Sequence, residues 1–252
     1  MDKGTVFFPD PFLLGSPADW GLPYEEVWFE TSDGVELHGW FVPAPPEAKR
    51  PACLLWFHGN AGNISHRLEN LSMLHSRVGC SVFIFDYREY GRSAGEISKA
   101  GTFLDAEASY EAAVGRLAVE PGRLVLFGRS LGTALAVHLA VHRDSAGAIL
   151  EAAFTSTADM QALYGAFLPP PAPGAVVYDS LSQIERVRVP LLFIHGQRDS
   201  VIPPGMGRAL YEKASSKKSL YMVEGADHND TYWTGGEAYF RAVADFIGEC
   251  TA

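Results

Sequence analysis

Apolar residues along this chain follow two different periods. Short apolar or alternating runs predict eight strands, at 24–31, 35–42, 52–57, 81–85, 124–127, 148–150, 191–194 and 219–223. Helical spacing between them predicts helices at 63–78, 102–119, 131–142, 157–167, 205–214 and 238–249. Because strands alternate with helices, we expect one doubly wound α/β domain over residues 1–252 with a mostly parallel sheet. The first two runs, joined by Ser32-Asp33-Gly34, predict an antiparallel hairpin at its edge.

The composition excludes several classes of protein. Hydrophobic residues make up 47% of the 252 residues, which is enough for a sizeable core. Twenty basic against 30 acidic side chains give a net charge of −10, which excludes a nucleic-acid surface built on bulk positive charge. No apolar run approaches the roughly 20 residues of a membrane span, and the first residues lack a signal-peptide pattern. We expect a cytoplasmic protein, or a membrane-peripheral one if a native N-terminal anchor was removed.

The segment Gly128-Arg129-Ser130-Leu131-Gly132 carries the sharpest chemical signal. It follows a predicted strand and opens a predicted helix, which is the context of a nucleophile elbow. Glycines on both sides of the serine let the backbones approach closely in such a turn. The helix N-terminus also favours developing negative charge. Ser130 is therefore the candidate nucleophile.

A serine hydroxyl needs a base, and the base needs an acid that orients it. In enzymes with such an elbow the chain order is serine, acid, histidine. Asp199 follows the predicted strand 191–194, and His228 follows the strand 219–223. Because parallel strands end at one edge of the sheet, both residues are predicted to lie near Ser130. Glu151, at the end of another strand, is the alternative acid.

The segment 58–63 follows the strand 52–57 and is the candidate oxyanion loop. A glycine-containing loop at this point offers a backbone N–H to a tetrahedral oxyanion, and the residue after the nucleophile, Leu131, supplies the second. We expect Asn60 to be the first donor, with Ala61 as the alternative. Asn63 is also placed to cap the helix that follows.

Together these motifs resemble the α/β-hydrolase superfamily. Within it, the chain is similar to the eukaryotic protein depalmitoylases of α/β-hydrolase-domain type and their bacterial relatives. The similarity covers Asp33-Gly34, the segments 58–63, 86–93 and 128–132, Tyr178-Asp179-Ser180, and the segments 195–199 and 225–230. It implies an α/β-hydrolase fold, here with a mostly parallel eight-stranded sheet, helices on both faces and a short lid. It places the catalytic triad on Ser130, Asp199 and His228. Glu89 stands where the family usually has glycine, which predicts an altered loop near the site.

The expected activity is cleavage of a carboxylic ester or thioester through an acyl-enzyme on Ser130, with no cofactor and no metal. The expected partner is a small-molecule substrate, a class that includes acyl lipids, and no nucleic acid. Two alternatives share the fold: a cofactor-free perhydrolase or acyltransferase with the same triad, and a catalytically idle binding module. His138 and His142 have the spacing of a zinc pair, but the residues between them lack the glutamate of such a site.

The connection between the strands 148–150 and 191–194 is where this fold inserts its lid. We expect a short insertion at about 154–186, because one helix, the proline-rich run 168–174 and the segment 178–186 leave little chain for a lid domain. The candidate walls of a shallow, open substrate pocket are Phe154, Leu163, Phe167 and Trp233.

Overall fold

The computed structural model describes residues 6–48, 51–165 and 177–252. Its strands are β1 (Phe8–Pro9), β2 (Glu25–Glu30), β3 (Glu36–Val42), β4 (Cys53–Phe57), β5 (Ala61–Gly62), β6 (Ser81–Phe85), β7 (Leu124–Arg129), β8 (Gly147–Glu151), β9 (Leu191–Gly196) and β10 (Lys218–Val223). Eight of them form one sheet in the order β10-β9-β8-β7-β4-β6-β3-β2. Pairing is parallel from β10 to β6, and β3 and β2 are antiparallel. The predicted mostly parallel sheet with a hairpin edge is confirmed.

Helices cover both faces of this sheet, as the alternation of periods predicts. They are α1 (Leu68–Val78), α2 (Lys99–Glu111), α3 (Gly132–His142), α4 (Thr157–Tyr164), α5 (Ser180–Gln183), α6 (Pro204–Lys213) and α7 (Thr231–Thr251). On one face α1 packs against α7. On the other face α2, α3, α5 and α6 follow one another as neighbours.

Alternating residues of the central strands enter two hydrophobic cores, one on each face of the sheet. On β4, Leu55 and Phe57 belong to one core, whereas Leu54 and Trp56 belong to the other. This follows from the two-residue period of a strand. A strand buried on both faces is apolar throughout, which is why β4 reads as a continuous apolar run.

Two helices, α2 and α7, begin three or more residues earlier than the apolar pattern predicts. The helix expected from residue 102 begins at Lys99, because the side chain of Ser98 caps it by accepting a hydrogen bond from the Gly101 N–H at 3.0 Å. The helix expected from residue 238 begins at Thr231 and is interrupted at Gly236, whose φ is +50°. The glycine pair at 235–236 hides the first turns of α7 from a periodicity argument.

A short parallel pairing of β1 with β5 was not predicted. The Phe8 N–H donates to the Asn60 carbonyl at 3.0 Å, and the Asp10 N–H donates to the Gly62 carbonyl at 3.2 Å. Each strand has only two residues, which is too few to show any period. The pairing attaches the N-terminal segment to the 58–63 loop.

The insertion between β8 and β9 contains α4 and α5 in its described part. The side chain of Ser156 caps α4 by accepting from the Asp159 N–H at 3.0 Å. The Thr157 N–H donates to the Tyr178 carbonyl at 2.8 Å, which joins the start of α4 to the segment just before α5. The proline-rich run 168–174 lies outside the described residues.

Candidate active site

Ser130 lies on the sharp turn between β7 and α3. Its φ is +53°, in the left-handed region that L-residues seldom adopt. A Cβ added at Gly128 would lie 2.6 Å from the Gly132 carbonyl oxygen, and one added at Gly132 would lie 2.0 Å from the Phe57 carbonyl oxygen. The close approach of α3 to the sheet therefore requires glycine on both sides of the nucleophile.

The loop after β10 brings His228 between Ser130 and Asp199. His228 Nε2 lies 3.1 Å from Ser130 Oγ, and His228 Nδ1 lies 2.9 Å from Asp199 Oδ2. All three residues are buried. With Nδ1–H donating to the carboxylate, Nε2 is free to accept the serine proton. The three residues that the sequence predicted as a triad thus lie in one hydrogen-bonded chain.

Asp199 is held as an ionised acceptor. Its Oδ1 accepts from the N–H groups of Val201 and Ile202 at 2.9 and 2.7 Å. Burial raises the pKa of the carboxyl, but hydrogen bonds from His195 and His228 outweigh burial and hold the pKa below its usual range. The carboxylate is therefore charged at neutral pH and can fix the orientation of the imidazole.

His195 is a site residue that sequence reasoning missed. Its side chain is fully buried, and its Nε2 lies 2.9 Å from the Ile202 carbonyl oxygen and 3.3 Å from Asp199 Oδ2. A proton on Nε2 can be shared between these two acceptors, so His195 helps to hold the Asp199 carboxylate in place. Its position four residues before Asp199 was the only available signal.

Glu151, the alternative acid, has a different role. Its buried carboxylate lies 3.2 Å from Arg129 Nε and also accepts from the hydroxyls of Thr231 and Tyr239. Arg129 Nη2 in turn donates to the His228 carbonyl at 3.0 Å. Glu151 therefore anchors the backbone of the histidine loop and has no hydrogen bond to the imidazole.

The 58–63 loop passes beside the nucleophile. A Cβ added at Gly59 would lie 3.6 Å from Ser130 Cβ. The loop is anchored at Asn60, whose Nδ2 donates to the Val6 carbonyl at 2.7 Å and whose carbonyl accepts from the Tyr90 hydroxyl at 2.7 Å. These contacts fix the backbone of Asn60 next to the serine.

The two predicted oxyanion donors are the backbone N–H groups of Asn60 and Leu131. Asn60 and Leu131 both line the same cavity as Ser130. Within the described ranges, neither backbone N–H donates to another protein group. Ala61 belongs to β5 and borders only a second cavity at Ser130, whereas Asn60 borders both. The geometry therefore favours Asn60 over Ala61 as the first donor.

An apolar cavity of about 480 Å³ opens at Ser130. Its walls come from the start of the insertion, from α4 and from the loop after β9, and they include Phe154, Met160, Tyr164 and Val201. The predicted wall residue Phe154 is among them and is buried. A concave apolar site next to a polar centre is typical of small-molecule binding.

The structure corrects two of the predicted pocket residues. Leu163 is 51% exposed and does not line the cavity, because it lies on a different side of α4 from Met160 and Tyr164. Trp233 is 56% exposed, and its indole N–H donates to Glu69 at 3.1 Å, which holds the ring away from the cavity. The fourth predicted residue, Phe167, lies outside the described residues.

The two histidines with zinc spacing, His138 and His142, each have a hydrogen-bond partner in the protein. His138 Nε2 lies 2.8 Å from Glu107 Oε1, and His142 Nδ1 lies 2.8 Å from the His138 carbonyl oxygen. Among the residues that the structure describes, no three His, Cys, Asp or Glu side chains form a group that could hold a metal ion. Over the same ranges, no helix combines the length and apolar character needed to span a membrane.

Glu89 shows how the loop accommodates a residue other than glycine. Its φ is +71°, in the region that glycine adopts without strain. The carboxylate accepts from the Ile97 N–H at 2.9 Å, and the Glu89 N–H donates to the Ala94 carbonyl at 2.9 Å. These hydrogen bonds hold the left-handed conformation.

Comparisons with known proteins agree with this architecture. A family model described as alpha/beta hydrolase fold matches residues 53–172, and one described as serine aminopeptidase, S33, matches residues 175–231. The alpha/beta hydrolase domain-containing protein WAV2 of Arabidopsis thaliana is 36% identical over 250 residues, covering 92% of this chain and 81% of that protein. The human alpha/beta hydrolase domain-containing protein 17B is 31% identical over 245 residues, covering 94% and 81%.

Among solved structures, the esterase Pf2001 of Pyrococcus furiosus superimposes with a TM-score of 0.81 at 19% identity. The match covers 97% of this chain and all of that one, and it shows a shared fold. The sheet order, the elbow and relatives matched over most of their length lead to one conclusion: this chain belongs to the α/β-hydrolase family.

Proposed function

We propose that the protein is a serine hydrolase that cleaves carboxylic ester or thioester bonds through an acyl-enzyme on Ser130. The observation that carries this proposal is the hydrogen-bonded chain Ser130–His228–Asp199 at the rim of an apolar cavity. A triad in this arrangement supplies a nucleophile, a base and an orienting acid. The likeness of the fold to an esterase is consistent with the proposal.

In the first step, Ser130 Oγ attacks the substrate carbonyl while His228 Nε2 takes the serine proton. The Asp199 carboxylate stabilises the imidazolium that forms. The N–H groups of Asn60 and Leu131 donate to the oxyanion. The bond to the leaving group then breaks, and His228 returns its proton to the departing oxygen or sulfur.

In the second step, water attacks the acyl-enzyme with His228 again acting as base. The carboxylic acid leaves, and the proton returns to Ser130 Oγ. The acyl chain remains in the apolar cavity through both steps, because that cavity begins at the nucleophile. The reaction needs no group from outside the chain except water.

A fluorophosphonate probe tests the proposal on the intact protein. We expect stoichiometric labelling of Ser130, because an activated serine next to an oxyanion site reacts with such phosphonylating reagents. The Ser130→Ala variant should not label, and peptide mapping should find the adduct only on the elbow peptide. Wild-type protein that stays unlabelled while folded would identify an idle binding module instead.

The pH profile of kcat/KM should show one ionisation on the acid side. Because the pKa of Asp199 lies below its usual range, its carboxylate stays charged where an imidazole titrates. We therefore expect log kcat/KM to fall on the acid side with a slope of one, as for a single catalytic base. A rate that stays flat down to pH 4 with an activated ester would contradict a histidine base.

The chain-length dependence of p-nitrophenyl ester hydrolysis should reach a plateau. Each methylene that enters the apolar cavity adds ~0.8 kcal/mol of binding, so kcat/KM should rise from acetate to short or medium chains. The cavity of about 480 Å³ limits how many methylenes it can bury. Rates should be measured below the micelle concentration of each ester. A continued rise to sixteen carbons would indicate a deep tunnel and refute the short-pocket prediction.

A further inference from the structure

A second cavity meets the first one at the nucleophile. It has a volume of about 570 Å³ and shares Ser130 and Asn60 with the apolar cavity. His228 also lines it, so it lies on the side of the serine where the base returns a proton. Its walls carry a much larger share of polar surface than the walls of the first cavity. The reacting carbonyl would therefore lie between an apolar and a polar compartment.

Arg67 places an unneutralised charge in this polar cavity. Burial lowers the pKa of its guanidinium to about 10, which leaves it protonated at neutral pH. One nitrogen, Nη2, donates to the Ala61 carbonyl, while Nε is buried without a hydrogen bond. In the part of the chain that the structure describes, no carboxylate forms an ion pair with Arg67. Burial raises the pKa of the nearby Asp86 well above its usual range, which favours its uncharged form.

Asn70 adds an unsatisfied polar side chain to the same wall. It is 3% exposed and lines the polar cavity. Its side chain lies near the Tyr239 hydroxyl, but neither its nitrogen nor its oxygen makes a hydrogen bond of normal geometry. A buried amide without a partner costs free energy, so a ligand that accepts from it would be stabilised.

Arg129 and Asp10 also bring charged side chains to this cavity. Arg129 is balanced by Glu151. Asp10 also lines the cavity, and it is part-exposed with its Oδ2 3.7 Å from His66 Nε2. Glu151 offsets the charge of Arg129, whereas an imidazole offsets a carboxylate only when it is protonated. Arg67 and Asp10 are therefore left as opposite charges in this cavity.

We propose that the polar cavity binds the leaving group of the substrate. Arg67 and Asn70 then hold an anionic group, phosphate or carboxylate, that the leaving group carries. This inference rests on the proposed hydrolase function and narrows its substrate class. The substrate is then an amphiphile whose acyl chain enters the apolar cavity and whose anionic alcohol enters the polar one. An arginine and an amide N–H donate to phosphate or carboxylate oxygens with charge-assisted hydrogen bonds.

The chemistry of this substrate balances without a further reactant. Ser130 Oγ bonds to the acyl carbon, and the bond from that carbon to the alcohol oxygen breaks. The alcohol oxygen takes the proton from His228 Nε2. The alcohol then leaves with its phosphate or carboxylate group unchanged. Water then releases the carboxylic acid from Ser130.

Three matched esters test the inference: 1-hexanoylglycerol, 1-hexanoylglycerol 3-phosphate and 3-hexanoylglycerate. Hexanoate release at low ionic strength gives kcat/KM for each. We expect wild-type protein to prefer at least one anionic ester over the neutral one by about tenfold or more. Comparison of the phosphate and carboxylate esters identifies which oxyanion the cavity takes.

Variants that remove one charge from the cavity should change the anionic-to-neutral ratio of kcat/KM in opposite directions. Arg67→Gln should reduce the anionic-to-neutral ratio to about one, and Asp10→Asn should raise it, because these changes remove opposite charges from one cavity. Arg77→Gln is the matched control, since Arg77 lies on α1 in an exposed pair with Glu237. Its ratio should equal that of wild type. A ratio calculated within each variant cancels any general loss of turnover.

Two results would overturn the inference: a wild-type ratio near one, or a preference that survives Arg67→Gln. If Arg67→Gln does not fold, Asp10→Asn still tests the inference, because its anionic-to-neutral ratio should exceed that of wild type. Failure of the hydrolase proposal gives a different result, because then no ester is cleaved and Ser130 is not labelled. In that event, calorimetry with glycerol 3-phosphate and with glycerate still measures the site. Wild type should bind at least one of them about tenfold or more tightly than Arg67→Gln, and a smaller difference for both would refute the oxyanion site.

Discussion

Replacing Ser130 or His228 by alanine is expected to lower kcat by about 10⁵–10⁶ each. The physical reason is that the two side chains act as one unit, with His228 Nε2 3.1 Å from Ser130 Oγ. Without the base the hydroxyl keeps its proton, and without the hydroxyl the base has nothing to activate. Turnover of a medium-chain p-nitrophenyl ester, normalised to folded protein, measures the effect. The Ser130→Ala/His228→Ala double variant should lose little more than either single variant.

Matched replacements on the surface should leave this activity unchanged. Ser76 lies on the exposed side of α1, and His142 lies at the end of α3. Ser76→Ala and His142→Ala should therefore retain wild-type kcat, and His142→Ala also tests the zinc alternative. Losses from Ser130→Ala and His228→Ala that multiply in the double variant would contradict a shared catalytic unit.

The strands were predictable because burial on both faces makes their sequence distinctive. The parallel strands β4 and β6 are almost entirely apolar and are buried throughout, whereas β2 of the hairpin begins and ends with glutamate. Helix starts were less predictable, because they depend on single caps. Ser98 begins α2 by a hydrogen bond to Gly101, which a search for apolar periods does not detect.

The main catalytic residues were predictable because motif and topology agree. Ser130 lies in a five-residue pattern after a strand, and Asp199 and His228 follow strands that end at the same sheet edge. The supporting contacts were not predictable. Arg129 meets Glu151 and the carbonyl of His228 only because adjacent strands and a distant loop converge.

The predictions for the pocket residues Leu163 and Trp233 were wrong for a similar physical reason. The helical spacing around α4 indicates that Met160, Leu163 and Tyr164 lie near one another. It cannot tell which of them faces the nucleophile, because that depends on how the helix packs on the sheet. Trp233 lies five residues beyond His228, but its bond to Glu69 directs the ring to α1. Closeness in sequence to His228 therefore places Trp233 near the site, but it does not predict the direction of its side chain.

Asp199→Ala is expected to lower kcat per titrated site by about 10⁴. Alanine removes the acceptor of the His228 Nδ1–H at 2.9 Å, so the imidazole loses its orientation and its counter-charge. Glu151→Ala should instead destabilise the protein by about 3–5 kcal/mol, because it leaves Arg129 buried without its partner. Urea unfolding measures the second effect, and kcat per site titrated with fluorophosphonate measures the first.

The two variants should therefore differ in kcat per titrated site and in the free energy of unfolding. This difference separates the catalytic acid, Asp199, from the residue that anchors the histidine loop, Glu151. Folded Glu151→Ala should lose far less kcat per titrated site than Asp199→Ala, because the imidazole still has its acceptor. The milder Glu151→Gln, which keeps the size of the side chain, guards against a variant that does not fold. Wild-type turnover in Asp199→Ala, together with a 10⁴-fold loss and unchanged stability in Glu151→Gln, would reassign the acid. The hydrogen bond from His228 to Asp199, and the absence of one to Glu151 among the described residues, argues for the first outcome.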